Sequence, residues 1–550
     1  MFVARRQGNN LNGCAPAIRN PLTKSWQPII LTRALAGLIL IALTSQMPHT
    51  HSSRAPKLLA KFLGLIGSAL FFAGCMLPAS YEDHVIGDFG HIEVRRSEPQ
   101  GNGFVVGVPH GATEPDAIDY AKTVSDATGA GIVIASGFKS KRIAVAQPLL
   151  HDSPIAWSST ASMRPRSIYP DFRNLLQASA VGPLKFYVEF RTAAPAGQSP
   201  RIEVVSAGFS FEQLLELKHS FRKIESEFTK ARQLLPVELI INPLDTISWN
   251  AFGEKNHGVL MLAERGLILR LPNVLAEARY KPVYREVLKN WLRYASDMAQ
   301  SDKLASSVVK VKQGRYGRIE LSPARGELRG VVIAAPHGSF DWETGELVEE
   351  LSYRTSLPSV VTRGFTPTEC DGWRIDVNRP TERHYPTGNL ERTSERSREV
   401  YQQFKDTVMA AARGPLDLYI DIHQNGTEEA IMVATLGITR AEAATIKASY
   451  REIRDRIISA GAQIGKIDLL IEPLDQVTIG AWAAKDHGIL GLAQKSLHFE
   501  LPAQQIFYRE AARQGYTIIL TELIKSMLTA NSTLPVSQAR PVRSKTIAGN

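Results

Sequence analysis

Three blocks of this 550-residue chain occur twice, in the same order. "GFVVGVPHG" (103–111) returns as "GVVIAAPHG" (330–338), and "GPLKFYVEF" (182–190) returns as "GPLDLYIDI" (414–422). The third pair, Ile241–Pro272 and Ile471–Pro502, aligns without a gap over 32 positions with 14 identities. The shifts are 227, 232 and 230 residues, so a single unit is written twice and each copy must form the same core. Single cores stop growing near ~250–300 residues, which also argues for two domains. The expected organisation is a targeting segment over 1–75, a first domain over 88–299, a Ser/Lys-rich linker over 300–317, a second domain over 318–530 and a disordered tail over 531–550. With 44% hydrophobic and 21% charged residues, the chain is neither disordered nor a polytopic membrane protein.

Within each copy, strands alternate with helices. "GVVIAAP" and "DLYIDI" are short apolar runs bounded by turn signals. Glu395–Ala412 has helical periodicity and stops before Gly414-Pro415, and a second helix is expected over Thr439–Gly461. This alternation predicts an α/β fold with helices on both faces of the sheet, where chemistry gathers at the carboxyl ends of strands.

The net charge is +10, but eight Lys and Arg and no acid lie in residues 1–75. The excess therefore belongs to an address rather than to a nucleic-acid surface, and no nucleic-acid partner is expected. Two apolar stretches occur there, 29–44 and 62–74, each short of the ~20 residues that span a bilayer. The second follows a basic flank and ends in Phe72-Ala73-Gly74-Cys75, which resembles a bacterial lipobox. The expectation is a lipoprotein of the bacterial cell envelope, lipidated at Cys75 and held on the periplasmic face of a membrane by its lipid or by an N-terminal anchor. Three cysteines are too few for a disulfide scaffold.

The copies differ where polar residues follow the strands. In the second copy these are His337, Asp341 and Glu343; Asp376, Asn378 and Arg379; Asp421 and His423; His498 and Glu500. Two histidines and a carboxylate converging from strand ends suit a catalytic zinc with one open position. Asp421 lies on the His423 face of its strand and suits the orientation of an imidazole. Glu500 is the candidate general base, and Arg379 the candidate for bidentate capture of a substrate carboxylate. In the first copy His110 and Glu114 remain, but Arg191, Ile268 and Arg270 stand at the places of His423, His498 and Glu500. A guanidinium cannot ligate a cation, so the first copy is expected to be catalytically dead.

"DVNRP", "DIHQNG" and "HFELP" resemble the zinc carboxypeptidase and N-formylglutamate amidohydrolase superfamily, over about residues 320 to 530, and "APHG" is closest to the amidohydrolase branch. The resemblance implies two tandem α/β/α domains with mixed, mostly parallel central sheets. It implies one zinc per chain, in the second domain, on His337 and His423, with Asn378 and Arg379 as carboxylate binders and Glu500 as the catalytic Glu. The family places its acidic ligand three residues after the first His; here the acids are four and six residues on. Asp341 is the choice because the first copy has an acid there too, with Glu343 as the alternative. Asp376, Asp421 and His498 are supporting or alternative groups. His487 and Asp475 recur in the first copy as His257 and Asp245 and read as structural.

The expected function is hydrolysis of an amide bond next to a free carboxylate, on a small acidic or peptide-like substrate such as an N-acyl amino acid, peptide or cell-wall fragment. The alternative is an inactive envelope lipoprotein that binds peptide or peptidoglycan. No nucleophile elbow, P-loop or dinucleotide fingerprint occurs.

Overall fold

The computed structural model describes residues 80–138, 143–148, 163–192, 200–247, 249, 251–301, 309–385 and 390–532. The targeting segment with Cys75 and all but the start of the tail lie outside the described residues. No described helix is long and apolar enough to cross a membrane.

The first half forms strands β1 (Glu82–Ile86), β2 (Gly90–Arg95), β3 (Phe104–Val108), β4 (Gly131–Ser136), β5 (Phe186–Thr192), β6 (Arg201–Ala207), β7 (Glu238–Ile241) and β8 (Arg265–Leu271). Its helices are α1 (Pro115–Thr128), α2 (Met163–Ser179), α3 (Phe211–Thr229), α4 (Phe252–Asn256) and α5 (Lys281–Gln300). The second half forms β9 (Lys310–Gln313), β10 (Gly317–Ser322), β11 (Val331–Ala335), β12 (Ser359–Gly364), β16 (Leu418–Asn425), β17 (Ile431–Leu436), β18 (Leu469–Ile471) and β19 (Lys495–Pro502). A small antiparallel sheet, β13 (Trp373–Asp376), β14 (Thr381–His384) and β15 (Glu391–Arg392), is inserted between β12 and β16. The helices of this half longer than four residues are α6 (Thr344–Thr355), α7 (Glu395–Ala412), α8 (Arg440–Ser459), α9 (Trp482–His487) and α10 (Glu510–Ser532).

The two large sheets have the same strand order, β1-β2-β4-β3-β5-β8-β6-β7 and β9-β10-β12-β11-β16-β19-β17-β18. In each, four neighbouring pairs are parallel and three antiparallel, so the α/β fold with mixed, mostly parallel sheets is present. The central strands are covered on both faces, which is why "FVVGV" and "VVIAA" are apolar at every position and wholly buried. In the second half α6, α8 and α10 cover one face and α7 the other. Thr439 caps α8 with a capping box, and Arg413 in the left-handed region ends α7 just before Gly414. The stretch expected as a linker contributes β9, an edge strand of alternating Lys that needs no apolar run.

A buried ionic seam joins the halves. Lys255 of α4 donates to Glu349 at 2.6 Å, Arg363 of β12 donates to Glu346 and Glu349 at 2.7 Å each, and Arg318 donates to the Leu260 carbonyl at 3.1 Å. Glu320 forms ion pairs with both Arg318 and Arg363. Three cations thus face three carboxylates. Arg363→Ala leaves Glu346 buried without its main partner and takes one of two cations from Glu320, so unfolding free energy should fall by about 3–5 kcal/mol. Chemical denaturation checks this, and a loss below about 1 kcal/mol would show the seam to be incidental.

Candidate metal centre

Each expected ligand arrives from the end of a strand. β11 ends at Ala335, and the turn that follows presents His337 and Asp341. Gly338 permits that turn: a Cβ there would sit 2.7 Å from the Thr362 carbonyl oxygen. His423 follows Asp421 near the end of β16. The parallel register with β19 sets Asp421 beside His498 and His423 beside Glu500.

His337, Asp341 and His423 are buried, and one donor atom from each lies within 4.8 Å of the others. Asp341 Oδ2 is 2.9 Å from His423 Nδ1 and 3.5 Å from His337 Nδ1. The two imidazole centres are 4.8 Å apart. His337 presents Nδ1 to this group, while its buried Nε2 makes no hydrogen bond and lies 3.8 Å from Asp376 Oδ1. Two imidazoles and a carboxylate at this spacing fit one zinc-sized cation. Glu343 does not join them: at φ 61° it starts α6 and its carboxylate turns to Arg513 at 3.3 Å.

Carboxylates and imidazoles alternate from there to Glu500. His423 Nε2 is 3.2 Å from Asp421 Oδ2, His498 Nδ1 is 2.9 Å from Asp421 Oδ1, and His498 Nε2 is 3.1 Å from Glu500 Oε1. A second donor group, Asp421, His423 and His498, is therefore also close together, and it shares His423 with the first. Burial pushes the His423 imidazole down, but hydrogen bonds to Asp341 and Asp421 outweigh it and hold its pKa at about 10. Burial also opposes ionisation of Asp341 and Asp421, yet their imidazole partners keep both well below the usual carboxylate range. Burial, with the Arg374 charge, lowers His337 to about 4; a cation bound between Asp341 and His423 would displace the proton that the two carboxylates hold on His423.

A cleft of about 470 Å³ opens over these groups. One wall is cationic. Arg379 donates to Asp376 at 2.9 Å and to Glu391 at 3.0 Å, and Arg374 donates to Asp376 at 2.6 Å. Arg374 and Arg383 are cross-strand partners in the β13–β14 hairpin, and Asn378 follows them into the cleft. Asp376 lies behind this wall as its anchor. Trp482, 74% exposed, also lines the cleft. The sequence reading missed Arg374, Arg383 and Trp482. Arg374 had a signal, since it alternates with Asp376 on one strand face.

The first half differs at the same register. Arg191 pairs with Arg270 across β5 and β8, where His423 pairs with Glu500. The Arg191 guanidinium bonds to Glu189 at 2.5 Å and to Glu254. His110 is pushed down to about 3 by burial and by Arg191. Among the described residues, the donor pattern of the second half is not repeated there. Asp475 and Asp245 each close their turn, accepting from Ile471 N at 3.0 Å and Ile241 N at 2.9 Å. His257 is buried against Glu369, but His487 is exposed and packs into nothing comparable.

No protein-family model and no curated protein matches the chain. Among solved structures it is similar to a bacteriophage poly-gamma-glutamate hydrolase (13% identity, 39% of this chain and 93% of that one, TM-score 0.24). It is also similar to an Agrobacterium tumefaciens gene product (14%, 40% and 95%, 0.26) and to a metallo-carboxypeptidase from Burkholderia cenocepacia (14%, 43% and 69%, 0.26). Likeness this low, over less than half of the chain, leaves the functional argument to the site itself.

Proposed function

We propose that the second half is a zinc-dependent hydrolase that cleaves an amide bond next to a free carboxylate, and that the first half is its disarmed tandem copy. The observation that carries this reading is the convergence of His337, Asp341 and His423 within 4.8 Å, on the floor of a cleft that also holds Glu500 and Arg379. The shared strand order of the two sheets supports the duplication.

When bound, zinc supplies a polarised carbonyl and an activated water. The remaining work falls to side chains. Arg379, with Asn378, takes the substrate carboxylate, and Asp376 keeps Arg379 and Arg374 aimed into the cleft. His498 holds Glu500 through Oε1, leaving Oε2 to accept the proton of the attacking water. Glu500 then delivers that proton to the leaving nitrogen, so one water is consumed and a carboxylate and an amine are released. His498 itself is held by Asp421, which fixes the ring orientation. Substrates in keeping with this cleft are N-acyl amino acids, short peptides and cell-wall fragments. The basic, apolar N-terminal sequence ending at Cys75 supports a place in the bacterial cell envelope as a membrane-anchored lipoprotein.

Metal analysis of the purified chain, followed by a screen of the zinc-loaded protein against N-acyl amino acids and peptides, tests the proposal. One zinc per chain with release of a free amine is expected. Zinc-free protein that binds peptide without cleaving it, even after zinc addition, would favour a binding protein instead. Arg379→Ala should raise KM by roughly 10- to 100-fold, the weight of a charge-assisted hydrogen bond. An unchanged KM would remove Arg379 from carboxylate binding.

A further inference from the structure

The equivalent short helices α4 and α9 lead very different lives. In α4, Glu254, Lys255 and Asn256 are all buried, with Lys255 and Asn256 at 0% exposure. In α9 the matching Asp486 is exposed and Trp482, matching the buried Phe252, stands in solvent. The first half has thus turned α4 into a docking element, and what it docks on is the turn between two expected metal ligands.

Ser339 lies midway between His337 and Asp341 and is fully buried. Its hydroxyl donates to Asn256 Oδ1 at 2.9 Å and accepts from Gly364 N at 2.8 Å. Arg363 Nη1 donates to the same Asn256 Oδ1 at 2.8 Å. Asn256 Nδ2 in turn donates to the Phe252 carbonyl at 3.0 Å and to Glu346 Oε1 at 3.3 Å. Every polar atom of the Asn256 amide is used, and three of its bonds cross from one half to the other. A buried amide so fully engaged has one orientation only.

We propose that Asn256 is a positioning residue: the first half clamps the His337–Asp341 turn through Ser339 and sets the geometry in which His337 and Asp341 meet a metal. The inference rests on the metal-hydrolase reading above. It gives the disarmed half a task, since the second half alone would leave Ser339 and Arg363 facing solvent at this point.

The test uses the full-length protein, stripped of metal and titrated with zinc against a competing chelator, with the visible spectrum of the cobalt(II) form as a second readout. Asn256→Ala and Ser339→Ala remove the two sides of the same contact. Both should bind zinc about 10- to 100-fold more weakly, as loss of outer support around a metal site does. Both should also shift the cobalt bands while keeping a cooperative melt. Wild-type affinity together with a wild-type cobalt spectrum in both variants would overturn the clamp and leave the metal reading intact. If Asn256→Ala fails to fold, Ser339→Ala decides alone, because it removes one hydroxyl. A wild-type protein that takes up no stoichiometric zinc would instead sink the metal reading, and the clamp with it.

Discussion

Glu500→Gln should cost about 100- to 10,000-fold in turnover, the weight of a positioned general base, while the zinc content stays at that of the wild type. Glutamine keeps an oxygen for His498 Nε2, now 3.1 Å from Oε1, so the Asp421–His498 arrangement survives the change. What it lacks is an oxygen that can take a proton. Glu500 is buried and cross-strand to His423, so the substitution is nearly isosteric and the cleft keeps its shape. Steady-state kinetics on any substrate found in the screen, with metal analysis of the same sample, separates the outcomes. Full activity would remove Glu500 from the chemistry. Lost activity with lost zinc would make it a metal-site residue rather than the base.

His423→Ala should have the largest effect of all, because two roles end together. Its imidazole is bracketed by Asp341 at 2.9 Å and Asp421 at 3.2 Å, all three buried. Zinc affinity should fall by more than the ~10- to 100-fold seen when an outer partner is lost. Without metal, two buried carboxylates lose the group between them, and unfolding free energy should drop by about 3–5 kcal/mol. Calorimetric titration and denaturation of the same preparation measure both. Unchanged zinc affinity would exclude His423 as a ligand. A loss of affinity without loss of stability would mean that Asp341 and Asp421 find other partners.

Much of this was legible in the sequence because it depends on local pattern. Buried parallel strands write themselves as apolar runs, helix α7 begins and ends where its Ser394 cap and the Gly414 stop place it, and polar residues after strands mark a site. The choice between Asp341 and Glu343 was not fixed by pattern. It depends on the left-handed backbone at Glu343, which turns that side chain to Arg513 on α10. The Asn256 contact was equally silent: "EKNHG" and "AKDHG" look interchangeable until one packs against the other half and the other faces water. Buried polar networks between distant segments have no period to read. Of the β13–β15 sheet the sequence shows only "DVNRP", so the arginine wall emerges from the pairing of Arg374 with Arg383.

The most direct measurement is X-ray absorption at the zinc edge on the zinc-loaded protein, beside the same protein carrying His337→Ala. Two imidazole nitrogens and carboxylate oxygen at about 2.0–2.2 Å are expected, falling to one imidazole in the variant. A zinc shell unchanged by loss of His337, or no stoichiometric zinc to observe, would contradict a metal centre on His337, Asp341 and His423.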